Sequence, residues 1–498
     1  MRTARAATWV ALLTTAAAAC SATGGESHSE PRHSVGISTA ASGELDVRAE
    51  NAKAGTTAWR IPSAQAGTIN DVAGYTDRPT ITSGQTFHLF VSTTKASLHA
   101  AVYRVGYYGG KGGREYWHSG ALRARHQTAQ TYLASTRTVI EKWQSTATIS
   151  SAGWPAGVYL IKLTAGTGTA TRSRYLTLVV RSASTAGRLV LMPSLFTSNA
   201  YNTFGGRSAY TGPDGFSSRA FAVSFRRPNS WKTFGLGTGK FLSYERPVVV
   251  LAEKLGLPLA YESDLDISTV AGVLSGARAV VTLGHAEYWS IPERNAFEAA
   301  RNRGTNLVFL GANTSYWRVR LTSGNSVMVI YKSTADPEYP AADTTTKWRL
   351  APHARPERRM TGLMYNCFPA SGSFTVVKPA FWAFVGTGTA RGSQYKGIIG
   401  PEVDEAVGGS DVPRPLEVVA SSAASCGGRS SMIYYTTRSG AGVVSTGTMG
   451  WVLHGFASGA PAATRSFVVK VTTNLLREAS IGPLAKRHPA TDNLRSYS

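Results

Sequence analysis

The stretch Ala279-Val-Val-Thr-Leu-Gly284-His285-Ala-Glu287-Tyr288-Trp289-Ser290 constrains this chain more than any other. A short apolar run of strand type breaks at a glycine, then displays a His-x-Glu pair beside two aromatics. Ser290-Ile-Pro-Glu293 reads as a capping box with proline in the first helical turn. An amphipathic helix over 294–303 stops at Gly304. A second buried strand over 306–310 then opens into the polar-aromatic loop Ala312-Asn313-Thr314-Ser315-Tyr316-Trp317. A strand, helix and strand in that order predict parallel neighbours joined by a right-handed crossover. Both loops then leave the carboxyl ends of adjacent strands, where open α/β sheets bind ligands. His285, Glu287 and Asn313 are therefore expected in one cleft.

With 498 residues, the chain is too long for one ordinary domain. Residues 1–20 read as a lipoprotein signal: Arg2 and Arg5 precede an apolar stretch, and small residues lead into Cys20, the expected lipid attachment site. An ordinary secretory signal with an incidental Cys20 is the alternative; either predicts export. No later segment offers ~18 uncharged apolar residues for a membrane span. Residues 21–55, rich in small and polar types, read as a flexible tether. Short alternating strands punctuated by glycine and proline predict an immunoglobulin-like β-sandwich over 56–183. Residues 187–480 are expected to form an α/β domain with a mainly parallel sheet in amidotransferase-like layers, followed by a polar tail over 481–498. Cys367 and Cys426 remain for a disulfide in an oxidising compartment.

The 52 Lys+Arg against 29 Asp+Glu give +23, which favours anionic partners such as lipid headgroups or wall polymers. No dense basic run and no motif with interleaved aromatics points to nucleic acid, so none is expected as a partner. A Gly-x-Ser-x-Gly elbow at a strand-to-helix turn is missing, as is a zinc-binding His-Glu-x-x-His. The sheet edge offers oxygen donors instead: Glu287, Tyr201, Tyr210, Tyr244, Tyr261, Asp264, Asp266, Asn313 and Glu402. Hard oxygen ligands suit a hard, highly charged cation.

The runs AYNTFGGRSAY, LPLAYESDLD, GHAEYWS, NLVFLGANTSYWRVRL, IIGPEVDE and STGTMGW resemble the C-terminal domain of the N,N-dimethylformamidase large (β) subunit family, and YRVGYYGGKGGR resembles the sandwich before it. The resemblance spans about residues 70–480. It implies hydrolysis of a small, non-peptide linear amide at a mononuclear Fe(III) held by two tyrosines and a glutamate. Matched by motif, the glutamate is Glu287, the first tyrosine Tyr201 and the second Tyr244, with Tyr261 in reserve. His285, Asn313 and Glu402 (or Glu405 in place of Glu402) supply the neighbouring catalytic groups. The expected partners are the amide substrate, the outer face of a membrane through the lipid anchor, and a small subunit or a second copy of the chain. The competing expectation is a non-catalytic surface lipoprotein that binds glycan or wall polymer through the same fold.

Overall fold

The computed structural model describes residues 45–231 and 235–497; Cys20 and the signal segment lie outside them. Alternating strands between 72 and 181 make two sheets. Val72–Thr76, Thr86–Thr93 and Ala147–Ser150 form a three-stranded sheet. Thr80–Thr82, Arg172–Arg181, Gly157–Ala165, Leu98–Val105 and Gly113–His118 form a five-stranded one. Every second side chain points inward, and Phe87, Leu89, Val102, Ile161, Leu163 and Leu178 from the two sheets share one core.

The second half is built on a seven-stranded sheet. Its order is Leu259–Tyr261, Leu189–Met192, Ala279–Gly284, Asn306–Gly311, Gly442–Ser445, Arg429–Thr436 and Leu416–Ala423. Ala279–Gly284 and Asn306–Gly311 are parallel neighbours, but Arg429–Thr436 and Leu416–Ala423 join antiparallel. The expected fold class, mainly parallel with amidotransferase-like layering, is therefore corrected. Strand accounts for 31% of the chain and helix for 22%, and the strands are spread over several small, mixed and antiparallel sheets. The cause is local. A parallel neighbour needs a crossover of about a dozen residues or more, whereas 424–428 turn the chain straight back on itself. Trp317–Thr322 and Val327–Val329 likewise form an antiparallel pair.

The elements that carry the site form for readable reasons. Helix Ile291–Asn302 has Pro292 in its first turn. At its start, Ser290 Oγ accepts from the Glu293 amide at 3.1 Å, and Glu293 reaches back to the Ser290 amide. Gly284 and Gly311 face each other across the parallel pair. A Cβ on Gly311 would overlap the Gly284 carbonyl, and one on Gly284, at φ +72°, would overlap the Tyr244 backbone. Glycine at both strand ends is thus what lets the two loops start side by side. Asn313 adopts φ +57°, a left-handed conformation that asparagine tolerates better than most residues.

A fully buried ion pair, Arg104 to Glu253 at 2.6 Å, ties the five-stranded sheet to helix Arg246–Lys254. Tyr261 donates to the same Glu253 oxygen at 2.6 Å. The ends of the chain differ from the sequence reading. Helix Val47–Ala52 lies within the stretch read as tether, and its Glu50 accepts from Tyr108 and Tyr116 at 2.7 and 2.6 Å. Helix Ala462–Ile481 runs to the start of the polar tail. Beyond it, Asn493 bonds the Val418 amide and carbonyl and so covers an exposed sheet edge. Among the described residues no helix is long and apolar enough to cross a membrane.

Candidate active site

Glu287 follows the Ala279–Gly284 strand and is 1% exposed. Thr197, on helix Leu195–Ala200, accepts from its amide at 3.0 Å and fixes the backbone. Tyr201, one residue past that helix, donates to Glu287 Oε2 at 2.7 Å. Tyr210 donates to Oε1 in a short hydrogen bond. The two phenolic rings stack with centroids 4.6 Å apart, and their oxygens stand 3.2 Å from each other. Burial holds both phenols well above the ordinary tyrosine value, and the Glu287 charge adds to it. Both therefore stay protonated and face one carboxylate.

His285 lies behind this group with its side chain fully enclosed. Lys240 Nζ is 2.8 Å from its Nδ1. An ammonium group can only donate, so Nδ1 accepts and Nε2 carries the ring proton. Nε2 stands 3.5 Å from Glu287 Oε2 and 3.4 Å from Glu402 Oε2, with no hydrogen-bond partner satisfied. Burial, then the Lys240 charge, lowers the imidazole pKa well below its ordinary value, so the ring is neutral. Asn313 donates its side-chain N–H to Glu402 at 2.7 Å and its backbone N–H to Asp404 at 2.7 Å. Burial raises the Glu402 carboxyl, opposed by Lys240, Asn313 and Lys332. It pushes Asp404 up to about 8.

These groups open on a cavity of about 460 Å³ lined by Tyr201, Tyr210, Trp231, Lys240, Tyr244, Glu287, Asn313, Tyr316, Trp317, Tyr365, Phe368, Pro401, Glu402 and Met449. Of the oxygen donors singled out from the sequence, Tyr201, Tyr210, Tyr244, Glu287, Asn313 and Glu402 line it, with His285 directly behind. Tyr244 packs against Trp231 and His285. Burial raises its phenol to about 12, with Glu402 as the charge that contributes. Tyr261 donates to Glu253 beside Arg104 and is not among the lining residues. Glu405 sits on the short strand Val403–Glu405 and is not among the lining residues. Cys367 and Cys426 form a disulfide, Cα–Cα 6.2 Å, that holds the chain beside Phe368 at the cavity mouth.

Two features escaped the sequence reading. Tyr210, there only one of several oxygen donors, binds Glu287 as closely as Tyr201 does; its place nine residues after Tyr201 in the AYNTFGGRSAY run was the available signal. The buried lysines gave none. Lys240 lies over the Tyr201, Trp231 and Tyr244 rings. Lys332 stands 3.2 Å from the Tyr210 ring centroid and donates to the Tyr288 hydroxyl at 2.7 Å. Burial brings the Lys332 ammonium down to about 7.

Among the described residues no group of three or more His, Cys, Asp or Glu side chains is arranged to hold a metal ion. The convergent donors are instead two phenols and one carboxylate, hard oxygens suited to a highly charged cation. The donor chemistry fits, and Asn313 Oδ1, which also lacks a hydrogen-bond partner, is a further oxygen beside it. A family model described as N,N-dimethylformamidase beta subunit-like, C-terminal, matches residues 99–457. No curated protein matches the chain.

Proposed function

The chain belongs to the N,N-dimethylformamidase beta subunit-like family of hydrolases, and on that premise we propose that it cleaves the C–N bond of a non-peptide amide at a mononuclear ferric centre. Tyr201, Tyr210 and Glu287 would hold the ion, with Tyr244 at the cavity wall. A trivalent cation there supplies Lewis acidity toward the amide. The observation that carries the reading is the meeting of both phenols on one carboxylate, with His285 Nε2 between Glu287 and Glu402.

The protein groups divide the remaining work. Glu402, oriented by Asn313, takes a proton from the attacking water and returns it to the leaving nitrogen, giving a carboxylic acid and an amine. His285 Nε2–H and the Asn313 amide donate to the oxygen that gains charge when water adds to the carbonyl. The neutral imidazole is suited to this, since it offers a donor without binding the proton that Glu402 must move.

We further propose export and attachment to the outer membrane face through Cys20, on the strength of the leader-like residues 1–20. The decisive experiment is metal analysis of the purified protein together with amine release from an amide panel. About one iron per chain with hydrolysis is expected. Protein that takes up no iron and cleaves no amide overturns the proposal in favour of a surface-binding module.

A further inference from the structure

The cavity is far larger than a small formamide requires. At about 460 Å³ it lies within the roughly 300–1,000 Å³ typical of pockets for drug-sized ligands. It would hold about fifteen waters at ~30 Å³ each. A five-heavy-atom amide seated at Glu287 would leave most of that space wet and most of the aromatic wall unused.

That wall is made of two separate clusters. Trp231, Tyr244 and Met449 pack together. Tyr316 and Tyr365 form a second pair with ring centroids 4.9 Å apart. Phe368, 62% exposed, also lines the cavity, beside the Cys367–Cys426 disulfide that secures its segment. An exposed phenylalanine held at a cavity rim is apolar surface that a bound ligand can cover. Lysines lie against rings of both clusters: Lys240 over the Trp231 and Tyr244 rings at 4.6 and 4.7 Å, and Lys347 over Tyr316 at 5.1 Å.

We propose, resting on the amide-hydrolase reading, that the substrate carries a group of aromatic size, held against the Trp231, Tyr244, Tyr316, Tyr365 and Phe368 rings of the cavity wall. The amide is seated at Glu287 and the ring occupies the outer chamber. Apolar burial and ring–ring contact there supply binding energy that a small formamide cannot draw on.

The test compares kcat/KM of the iron-loaded full chain for N,N-dimethylformamide and N-benzylformamide. N-benzylformamide is expected to exceed dimethylformamide by at least about tenfold, a discrimination within reach of one apolar pocket. Tyr316→Ala should shrink that ratio. Calorimetry of the same ligands on Glu402→Gln separates binding from turnover. Dimethylformamide cleaved as well as or better than N-benzylformamide overturns this inference and leaves the hydrolase reading standing. If no amide is cleaved, yet N-benzylformamide binds Glu402→Gln more tightly than dimethylformamide does, the chamber is upheld and the hydrolase reading fails. Equal or weaker binding of the benzyl compound removes the chamber as well.

Discussion

Lys240 Nζ lies 2.8 Å from Nδ1 of His285, and this contact decides which face of the imidazole donates into the site. With Nδ1 occupied as an acceptor, the ring proton is on Nε2, between the Glu287 and Glu402 carboxylates. Lys240→Met removes the donor and frees the ring to exchange tautomers, whereas Lys240→Arg keeps a donor-only cation. Nitrogen-15 spectra should show Nε2–H in the wild type and in Lys240→Arg, and a tautomer mixture in Lys240→Met. A missing oxyanion donor typically costs about 10²–10³ in kcat, so Lys240→Met should lose activity in proportion to the fraction of rings whose proton has moved to Nδ1. An unchanged tautomer in Lys240→Met would show that another group orients the ring.

The two candidate tyrosines beside Tyr201 can be told apart by metal uptake. Tyr210 reaches Glu287 directly, while Tyr244 packs on Trp231 and His285. Tyr210→Phe should weaken iron binding by more than the roughly 10–100-fold typical of an outer partner, and should weaken and shift the tyrosinate-to-iron colour, leaving the Tyr201 contribution. Tyr244→Phe should stay within that range and keep the colour. The reverse pattern returns the second ligand to Tyr244.

What the sequence revealed and what it hid follow from distance along the chain. His285, Glu287 and Asn313 sit within one strand–helix–strand unit, so local rules of capping, periodicity and crossover bring them together. Tyr201, Tyr244 and Tyr261 lie at or near strand or helix ends, and Tyr210 lies in the loop that follows Tyr201. Which hydroxyl meets Glu287 depends on how the irregular loops between 201 and 244 fold over the sheet, and no period records that. Tyr261 ends a strand of the right sheet, yet its ring turns toward Arg104 and Glu253. The class error has the same root: the run 416–436 reads as strand whether it crosses over or turns back, and only the tight 424–428 turn makes it antiparallel.

Glu262 predicts a pH effect with a definite sign. It is wholly buried and neither carboxyl oxygen has a hydrogen-bond partner. Burial, helped by Asp266, pushes its pKa up to about 9. A folded pKa above the unfolded one means the folded state keeps a proton that the unfolded chain releases. Stability is thus fully present below about pH 4.5 and is lost as pH rises toward 9. Glu262→Gln removes this dependence. Its melting temperature should match the wild type near pH 4.5 and exceed it at pH 8, by an amount worth up to about 4–5 kcal/mol. A gain independent of pH would mean that the carboxyl is already ionised in the fold.

The Cys367–Cys426 disulfide spans a sequence separation of 59. Closing a loop of that length removes unfolded-state entropy worth roughly 4 kcal/mol in the chain-entropy model. Cys367→Ser with Cys426→Ser should therefore lower stability by up to that amount, read from denaturant midpoints at unchanged slope. The bridge also secures Phe368 and, through strand Met364–Cys367, Tyr365 at the cavity mouth. A purely global stabiliser would leave the catalytic ratio between large and small amides unchanged at temperatures where both proteins are folded. A support for the mouth would not: at 25 °C the double variant should lose preference for the benzyl amide by raising its KM, with kcat for the small amide little altered. Equal losses for both substrates would confine the disulfide to stability alone.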